Sequence, residues 1–393
     1  MIDGVMEQTS KEFSVLTFNV WGLYISKDRQ ARIKAIGDAL ADGEFDVVTL
    51  QELWVCKDYE MLKSKLMQSY AHSHHFSGGI VGSGLAVFSK HPIIQIDYRP
   101  YRLNGKPFYI LHGDWYAGKG IGHVRLQHPE TVIDIFTTHM IANYHNKKDG
   151  NDIYSVHRCL QMVEFCNHIS TFKSQDSLVI ATGDFNIEDN DQLLSEVVDK
   201  GMFLNSGPFT LKSVWKESST IDKMTFNRPT NSYHKSEKDP ECIDYIWYDS
   251  AKASIRDVKL KFDDLIESIG KSYSDHTGVA ATFTLEDRDS VARSSGKSLL
   301  GEYFYRQAKG YVTGLENRQA MLQFVLATSF CALISISAYT TKVHNSYSLK
   351  TGLVSLFLLF TVLIFQYSNL WLNYEISMLK QVTAEWLCWL QQH

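Results

Sequence analysis

Leu178-Val179-Ile180-Ala181-Thr182-Gly183-Asp184-Phe185-Asn186 is an apolar run of strand length that stops at a glycine and delivers a carboxylate and a carboxamide two residues apart. Strand alternation predicts a buried strand with Asp184 and Asn186 on one face and Phe185 turned into the core. An acid beside an amide at a buried strand end suits a phosphate and its metal ion, because the first accepts hydrogen bonds and the second also donates. The same residues close ordinary strands through Asx turns. Their neighbours along the chain decide between the two.

Outward from that stretch, other apolar strands end the same way. Residues 13–19 alternate and stop at Asn19 before a turn at Gly22, and residues 46–52 finish on Glu52. Residues 122–126 and 131–139 predict a hairpin whose second strand ends at His139. Asp244 lies in the apolar run 242–248, and Asp275-His276 precedes another at 279–285. Residues 84–89 read as one more strand, closed by Lys90-His91-Pro92. Helical spacing is found over 29–40 (Ile33, Ile36, Leu40), 60–66 and 153–168. Strands outnumber helices, which predicts an α/β (α+β) four-layer sandwich of two packed mixed sheets flanked by helices. Carboxylates, amides and two imidazoles gathered at strand ends are the equipment of Mg²⁺-dependent phosphodiester hydrolysis: oxygen ligands for a hard cation and imidazoles for proton transfer.

With 393 residues, 44% of them hydrophobic, the chain can bury one large core and carry an appendage. A net charge of −5 argues against non-specific nucleic-acid binding, which needs a basic surface, and no nucleic-acid partner is expected. Residues 1–11 read as a flexible N-terminus without the apolar core of a secretory signal. The six cysteines form no CxxC pair, and no Asn-x-Ser/Thr acceptor occurs, which fits a reducing, cytosol-facing domain.

Asn19, Gln51-Glu52, Thr138-His139, Gly183-Asp184-Phe185-Asn186, Ile243-Asp244-Tyr245 and Ser274-Asp275-His276, in that order, resemble the motif set of the DNase-like endonuclease/exonuclease/phosphatase superfamily. Within it, Phe18-Asn19-Val20-Trp21-Gly22, Ile80-Val81-Gly82-Ser83-Gly84-Leu85 with Val87-Phe88-Ser89-Lys90-His91-Pro92, and His112-Gly113-Asp114-Trp115-Tyr116-Ala117-Gly118-Lys119 resemble neutral sphingomyelinases. The resemblance implies that Glu52 binds Mg²⁺ (Mn²⁺ being an admissible substitute), with Asn19 and Asp275 near the ion or its waters. It makes His276 the general base, oriented by Asp244. It gives His139, Asp184 and Asn186 the phosphoryl oxygens and the leaving alcohol. The stretch from Gly113 to Gly120 has Walker A spacing but glycine where Ser or Thr should meet Mg²⁺, so nucleotide binding is rejected. The similar family loop instead gives Asp114 and Lys119 a substrate role, with Trp115 and Tyr116 facing a choline head group through cation–π contact. His72, His74 and His75 lack a nearby cysteine or an i, i+4 pair and read as a polar rim, not a zinc site.

Beyond the domain at 12–286, residues 287–318 read as a linker and juxtamembrane segment. Residues 319–341 and 351–372 read as two transmembrane helices forming a hairpin, and 373–393 as an interfacial cytosolic tail containing Trp386 and Trp389. Arg306, Lys309, Arg318 and Lys380 lie outside the hairpin against Lys342 and Lys350 in its loop. This bias predicts a multi-pass endomembrane protein of the endoplasmic reticulum or Golgi with a cytosolic catalytic domain. The expected activity is phospholipase C cleavage of sphingomyelin to ceramide and phosphocholine. The alternatives are the same chemistry on lyso-phosphocholine lipids or inositol phosphosphingolipids, and an inactive membrane scaffold.

Overall fold

The strand over Leu178–Asp184 forms as expected, and all of its residues are buried. In this computed structural model the described residues are 11–107, 109, 111–144, 152–174, 176–188, 211–217, 222–286, 299–340 and 347–392. The expectations for residues 1–10, 287–298 and 341–346, and for the Trp386 and Trp389 side chains, lie outside them. The chain divides into two compact units, Met1–Ser298 and Leu299–His393.

In the first unit the strands are β1 (Glu12–Asn19), β2 (Val47–Gln51), β3 (His72–His75), β4 (Ala86–Ser89), β5 (Ile93–Pro100), β6 (Gly120–Gln127) and β7 (Val132–His139). They continue with β8 (Leu178–Asp184), β9 (Leu211–Ser213), β10 (Asp244–Asp249), β11 (Ala253–Lys261), β12 (Leu265–Ile266), β13 (Lys271–Ser272) and β14 (Gly278–Leu285). The helices are α1 (Arg29–Leu40), α2 (Cys56–Leu66), α3 (Ser155–Phe172) and the short α4 (Val214–Glu217). Two six-stranded sheets form, in the orders β11-β14-β1-β2-β4-β3 and β5-β6-β7-β8-β10-β9. Both are mixed. β1 runs parallel to β2 and β7 parallel to β8, and the other described neighbours are antiparallel.

This strand arrangement explains why the polar ends meet. A parallel pair needs a long crossover, supplied here by α1 and by α3, and it brings both C-terminal ends to one edge. Asn19 and Gln51 are paired there on one sheet, His139 and Asp184 on the other. Strands antiparallel to these begin at the same edge. Asp244 opens β10 directly opposite Asp184, and Asp275-His276 leads into β14 beside the end of β1.

α1 and α2 cover one sheet: Ile33, Ile36, Leu62 and Leu66 share a buried cluster with Leu16, Phe18, Leu50 and Phe88. α3 covers the other, Phe165 meeting Phe185 edge-on at 5.3 Å. Full burial of such a side chain contributes about 1.5–3 kcal/mol. Between the sheets runs a polar seam, in which Thr49 and Thr182 hydroxyls lie 3.0 Å apart and Gln51 Nε2 donates to Thr137 Oγ1 at 3.3 Å. His75 in β3 has a ring nitrogen 2.9 Å from the Leu53 carbonyl and stacks on Tyr59, so it is engaged structurally at the rim.

Away from the polar edge, Asp134 is buried and ties α3 to the sheet. His123 Nε2 and Arg125 Nε each reach its Oδ1 at 2.8 Å, while Ser174 N and Ser177 Oγ donate to Oδ2. Burial works against its charge, but these donors outweigh it and hold the carboxyl at about 2. A depressed folded pKa stabilises at pH values above the unfolded pKa and is lost as pH falls through the folded one. Asp134→Asn is therefore expected to cost about 2 kcal/mol at pH 7, the gap roughly halving by pH 3, in denaturant melts followed by circular dichroism. Equal gaps at the two pH values would contradict this.

The second unit holds α5 (Leu299–Thr340), α6 (Tyr347–Gln366), a π-helical turn (Tyr367–Trp371) and α7 (Leu372–Gln392). Residues 299–318, read from sequence as linker and juxtamembrane segment, are the first half of α5. Pairs between α5 and α7 hold that half in place: Tyr311 donates to Glu375 Oε1 at 3.1 Å, and Lys380 lies 2.5 Å from Glu316. Val312 and Leu315 are buried on one helix, and Leu372, Ile376 and Leu379 on the other. Among the described residues one stretch, Val354–Glu385, is long and apolar enough by length and composition to cross a membrane.

Candidate active site

Two backbone conformations shape the site. Gly183 has φ 140°, and a Cβ there would sit 2.1 Å from the Thr138 carbonyl oxygen, so only glycine lets β8 lie this close to β7 just before Asp184. Glu52 is left-handed, with φ 60°. Simple alternation would send it to the face opposite Gln51, but the turn after β2 brings its carboxylate back within 3.2 Å of Asn19 Nδ2. A non-glycine residue in this region is strained, and such strain concentrates at functional sites.

Asn19 Nδ2 also donates to Asp184 Oδ2 at 2.9 Å, while its Oδ1 accepts from Trp21 N. The amide thus holds two carboxylates together. His139 Nε2 lies 3.5 Å from Asp184 Oδ2 and 3.9 Å from Glu52 Oε1. His276 Nδ1 is 2.9 Å from Asp244 Oδ2, leaving Nε2 3.8 Å from Asp184 Oδ2. Asp184 performs both functions the sequence allowed. Its Oδ1 accepts from Asn186 N in an Asx turn, and its Oδ2 faces the cluster. Asn186, itself left-handed, turns its amide to the Met140 carbonyl at 3.0 Å, where Lys119 Nζ also donates. Lys119 is buried and paired with Asp114 at 2.6 Å. A strand follows it, not a helix, which removes the structural basis for Walker-type phosphate binding.

Electrostatics divides the two imidazoles. Burial, then Lys119 and His276, push His139 well below the usual histidine range. Burial opposes charge on His276 as well, but Asp244, then Asp184 and Asp275, outweigh it and raise the ring to about 10. Burial, then Asp244, raises Asp184 to about 7, and burial with Asp275 raises Glu52.

Asp184, Asp244 and His276 have ligand atoms close enough to hold a metal ion. The Nδ1···Asp244 contact already occupies one ring nitrogen of that imidazole, however. The Glu52 side suits a hard cation better. Glu52 Oε2 is buried with no hydrogen-bond partner among the described residues, and the repulsion by which Asp275 raises Glu52 would be relieved by a cation between them.

Glu52, Asp114, Lys119, His139, Asp184, Asn186, Asp275 and His276 line one cleft of about 1090 Å³, and Asn19 and Asp244 are hydrogen-bonded to that lining. A sequence profile of the Endonuclease/Exonuclease/phosphatase family matches residues 16–276, a span that takes in every one of these groups. The chain belongs to that family. Among its family relatives, inositol phosphosphingolipids phospholipase C of Schizosaccharomyces pombe is 32% identical over 302 residues, covering 71% of this chain and 70% of that protein. Sphingomyelin phosphodiesterase 2 of Homo sapiens is 39% identical over 183 residues, 46% of this chain and 43% of its own length. D. rerio TDP2, solved with a single-stranded DNA product, superposes with a TM-score of 0.54 at 19% identity, over 69% of this chain and 98% of that one. That likeness shows the fold alone.

Of the residues expected from sequence, Asn19, Glu52, His139, Asp184, Asn186, Asp244, Asp275, His276, Asp114 and Lys119 gather here. Trp115 does not line the cleft. It packs edge-on to Tyr116, which does, together with Trp54, Tyr144 and Phe226. Sequence reasoning missed Arg32, whose guanidinium donates to the Val20, Trp21 and Tyr273 carbonyls and so clamps the segments bearing Asn19 and Asp275. The available signal was a charge on the apolar stripe of α1. The cleft wall contributed by Phe226, Lys235 and Lys238 carried no signal at all.

Proposed function

We propose that the chain hydrolyses sphingomyelin by a Mg²⁺-dependent phospholipase C reaction at a membrane, releasing phosphocholine and leaving ceramide. The chain is a phosphoric diester hydrolase. One observation carries the reading most: His139, Asp184 and Asp244 stand in register across three neighbouring strands, with His276 and Glu52 closing on them from the other sheet. A bound divalent cation would supply Lewis-acid charge at a phosphoryl oxygen and, by offsetting the carboxylates, favour the neutral His276 that a base requires. Glu52 and Asp275 are the residues to hold it, with Asn19 keeping Glu52 in place. His276, oriented by Asp244, takes the proton of the attacking water as the new P–O bond forms. His139 and Asn186 bind the phosphoryl oxygens, and Asp184, whose carboxyl is raised to about 7 and so can carry a proton, gives that proton to the departing ceramide oxygen as the P–O bond to it breaks.

Carboxylates outnumber basic side chains in the cleft wall, and Trp54, Tyr116 and Tyr144 add aromatic faces, which suits a quaternary ammonium. Acidic walls also disfavour nucleic acid. The S. pombe relative supports a second reading, inositol phosphosphingolipids. Assaying the purified protein on mixed-lipid liposomes, with the released head group identified, separates the two.

The α5–α7 unit anchors the enzyme, with α5 and α6 as the two membrane spans and the catalytic domain on the cytosolic face of the endoplasmic reticulum or Golgi. The charge bias outside residues 319–372 supports that topology. A chain ending after Glu286 is expected to cleave sphingomyelin in detergent micelles but to act far more slowly on liposomes, because each encounter then starts from bulk water. A folded truncation inactive on micelles would mean that the helices shape the site as well as hold it near its substrate.

A further inference from the structure

Several apolar side chains beside or lining the cleft are left exposed among the described residues. Ile25, after β1, is 90% exposed beside the exposed Leu23 and Tyr24. Ile80 is 74% exposed beside the cleft-lining Val81, and Leu111 is 100% exposed beside the cleft-lining His112. Gly79 and Gly82, both left-handed, bracket Ile80-Val81 and turn the pair outward. Ile80 N and Val81 N donate to the Tyr116 carbonyl at 3.0 and 3.3 Å, and Gly118 N to the Gly82 carbonyl at 2.8 Å, so the loops at 78–82 and 113–118 form one wall. Leu23, Tyr24 and Val81 also line the cleft, which makes the rim continuous with the site.

Scattered exposed apolar residues are normal on a protein surface, but a set grouped around one opening is not. Residues 23–27 are Leu, Tyr, Ile, Ser and Lys, followed by the exposed Asp28, and 78–82 are Gly, Gly, Ile, Val and Gly, without a charge. Apolar tips carrying a tyrosine and a lysine complement the acyl and phosphate layers of a bilayer. We propose that these loops are a membrane-docking surface, through which the mouth of the cleft seats on the lipid surface and takes its substrate without that lipid crossing water. The inference rests on the lipid-directed reading above.

Ile25, Ile80 and Leu111 lie outside the cleft lining, so replacing them tests docking apart from chemistry. The full chain carrying Ile25→Ser, Ile80→Ser and Leu111→Ser is reconstituted in phosphatidylcholine–sphingomyelin vesicles beside the wild type. Turnover on the vesicles is expected to fall about tenfold or more, with kcat on a monomeric short-chain substrate unchanged. Hydrogen–deuterium exchange should show residues 23–27, 78–82 and 111–116 of the wild type protected in vesicles relative to the same chain held in an amphipathic polymer. Unchanged vesicle turnover, exchange that is alike in both settings, or protection only when another protein is added would each overturn the docking surface. Protection in a wild type that cleaves neither substrate would leave docking standing and reject the lipase reading. If the triple variant misfolds by circular dichroism, Leu111→Ser alone and the exchange measurement decide.

Discussion

Glu52→Gln is expected to lower hydrolysis by about 10³-fold while leaving the protein folded. Glutamine keeps an oxygen for Asn19 Nδ2 but removes the charge, and with it the best oxygen ligand in the cleft. The Glu52 carboxyl is held above its ordinary range by burial and by Asp275, so it sits in the folded protein at a cost. Neutralising it should therefore preserve or raise the melting temperature in EDTA. Wild type should gain thermal stability with Mg²⁺ by preferential binding to the folded state, and the variant should lose that gain along with its activity. Full wild-type turnover in chelator, or an undiminished Mg²⁺ response in the variant, would remove Glu52 from the cation site.

His276→Ala should cost about 10²–10⁴-fold in kcat, the usual contribution of a general base, and His139→Ala a loss in the same range. The alanine variant also leaves Asp244 buried without its 2.9 Å partner, so part of any loss could come from local collapse. His276→Gln answers that concern, because its amide can still donate toward Asp244 but cannot accept a proton from water. If the glutamine variant melts like wild type and is still inactive, the loss belongs to proton transfer. A glutamine variant with near wild-type kcat would end the assignment of His276 as base.

Much of the site was legible before the fold was known, for a local reason. In β1, β7 and β8 an apolar run stops abruptly at a functional side chain, and the contrast lies within a few residues of sequence. The edge strands β3, β5 and β11 were not legible. They are partly exposed on both faces, so alternation is weak, and β11 is further broken by a bulge at Ile255/Asp257. α2 likewise runs from Cys56, earlier than the spacing of its apolar residues suggested.

What the sequence determined by itself is the inventory: strands with polar ends, two imidazoles, a carboxylate–carboxamide pair, and a long apolar stretch near the C-terminus. Only the tertiary structure decided how these meet. Parallel pairing of β1 with β2 and of β7 with β8 brought four strand ends to one edge, a relation between residues up to 165 positions apart, as between Asn19 and Asp184. The left-handed turn at Glu52, the opposite pKa shifts of His139 and His276, and the clamp of Arg32 on two distant loops all depend on packing between the sheets and α1. So does the placement of Tyr116, with Trp115 set aside, in the cleft. None has a local signature, because burial and the field of neighbouring charges exist only once the two sheets have closed on each other.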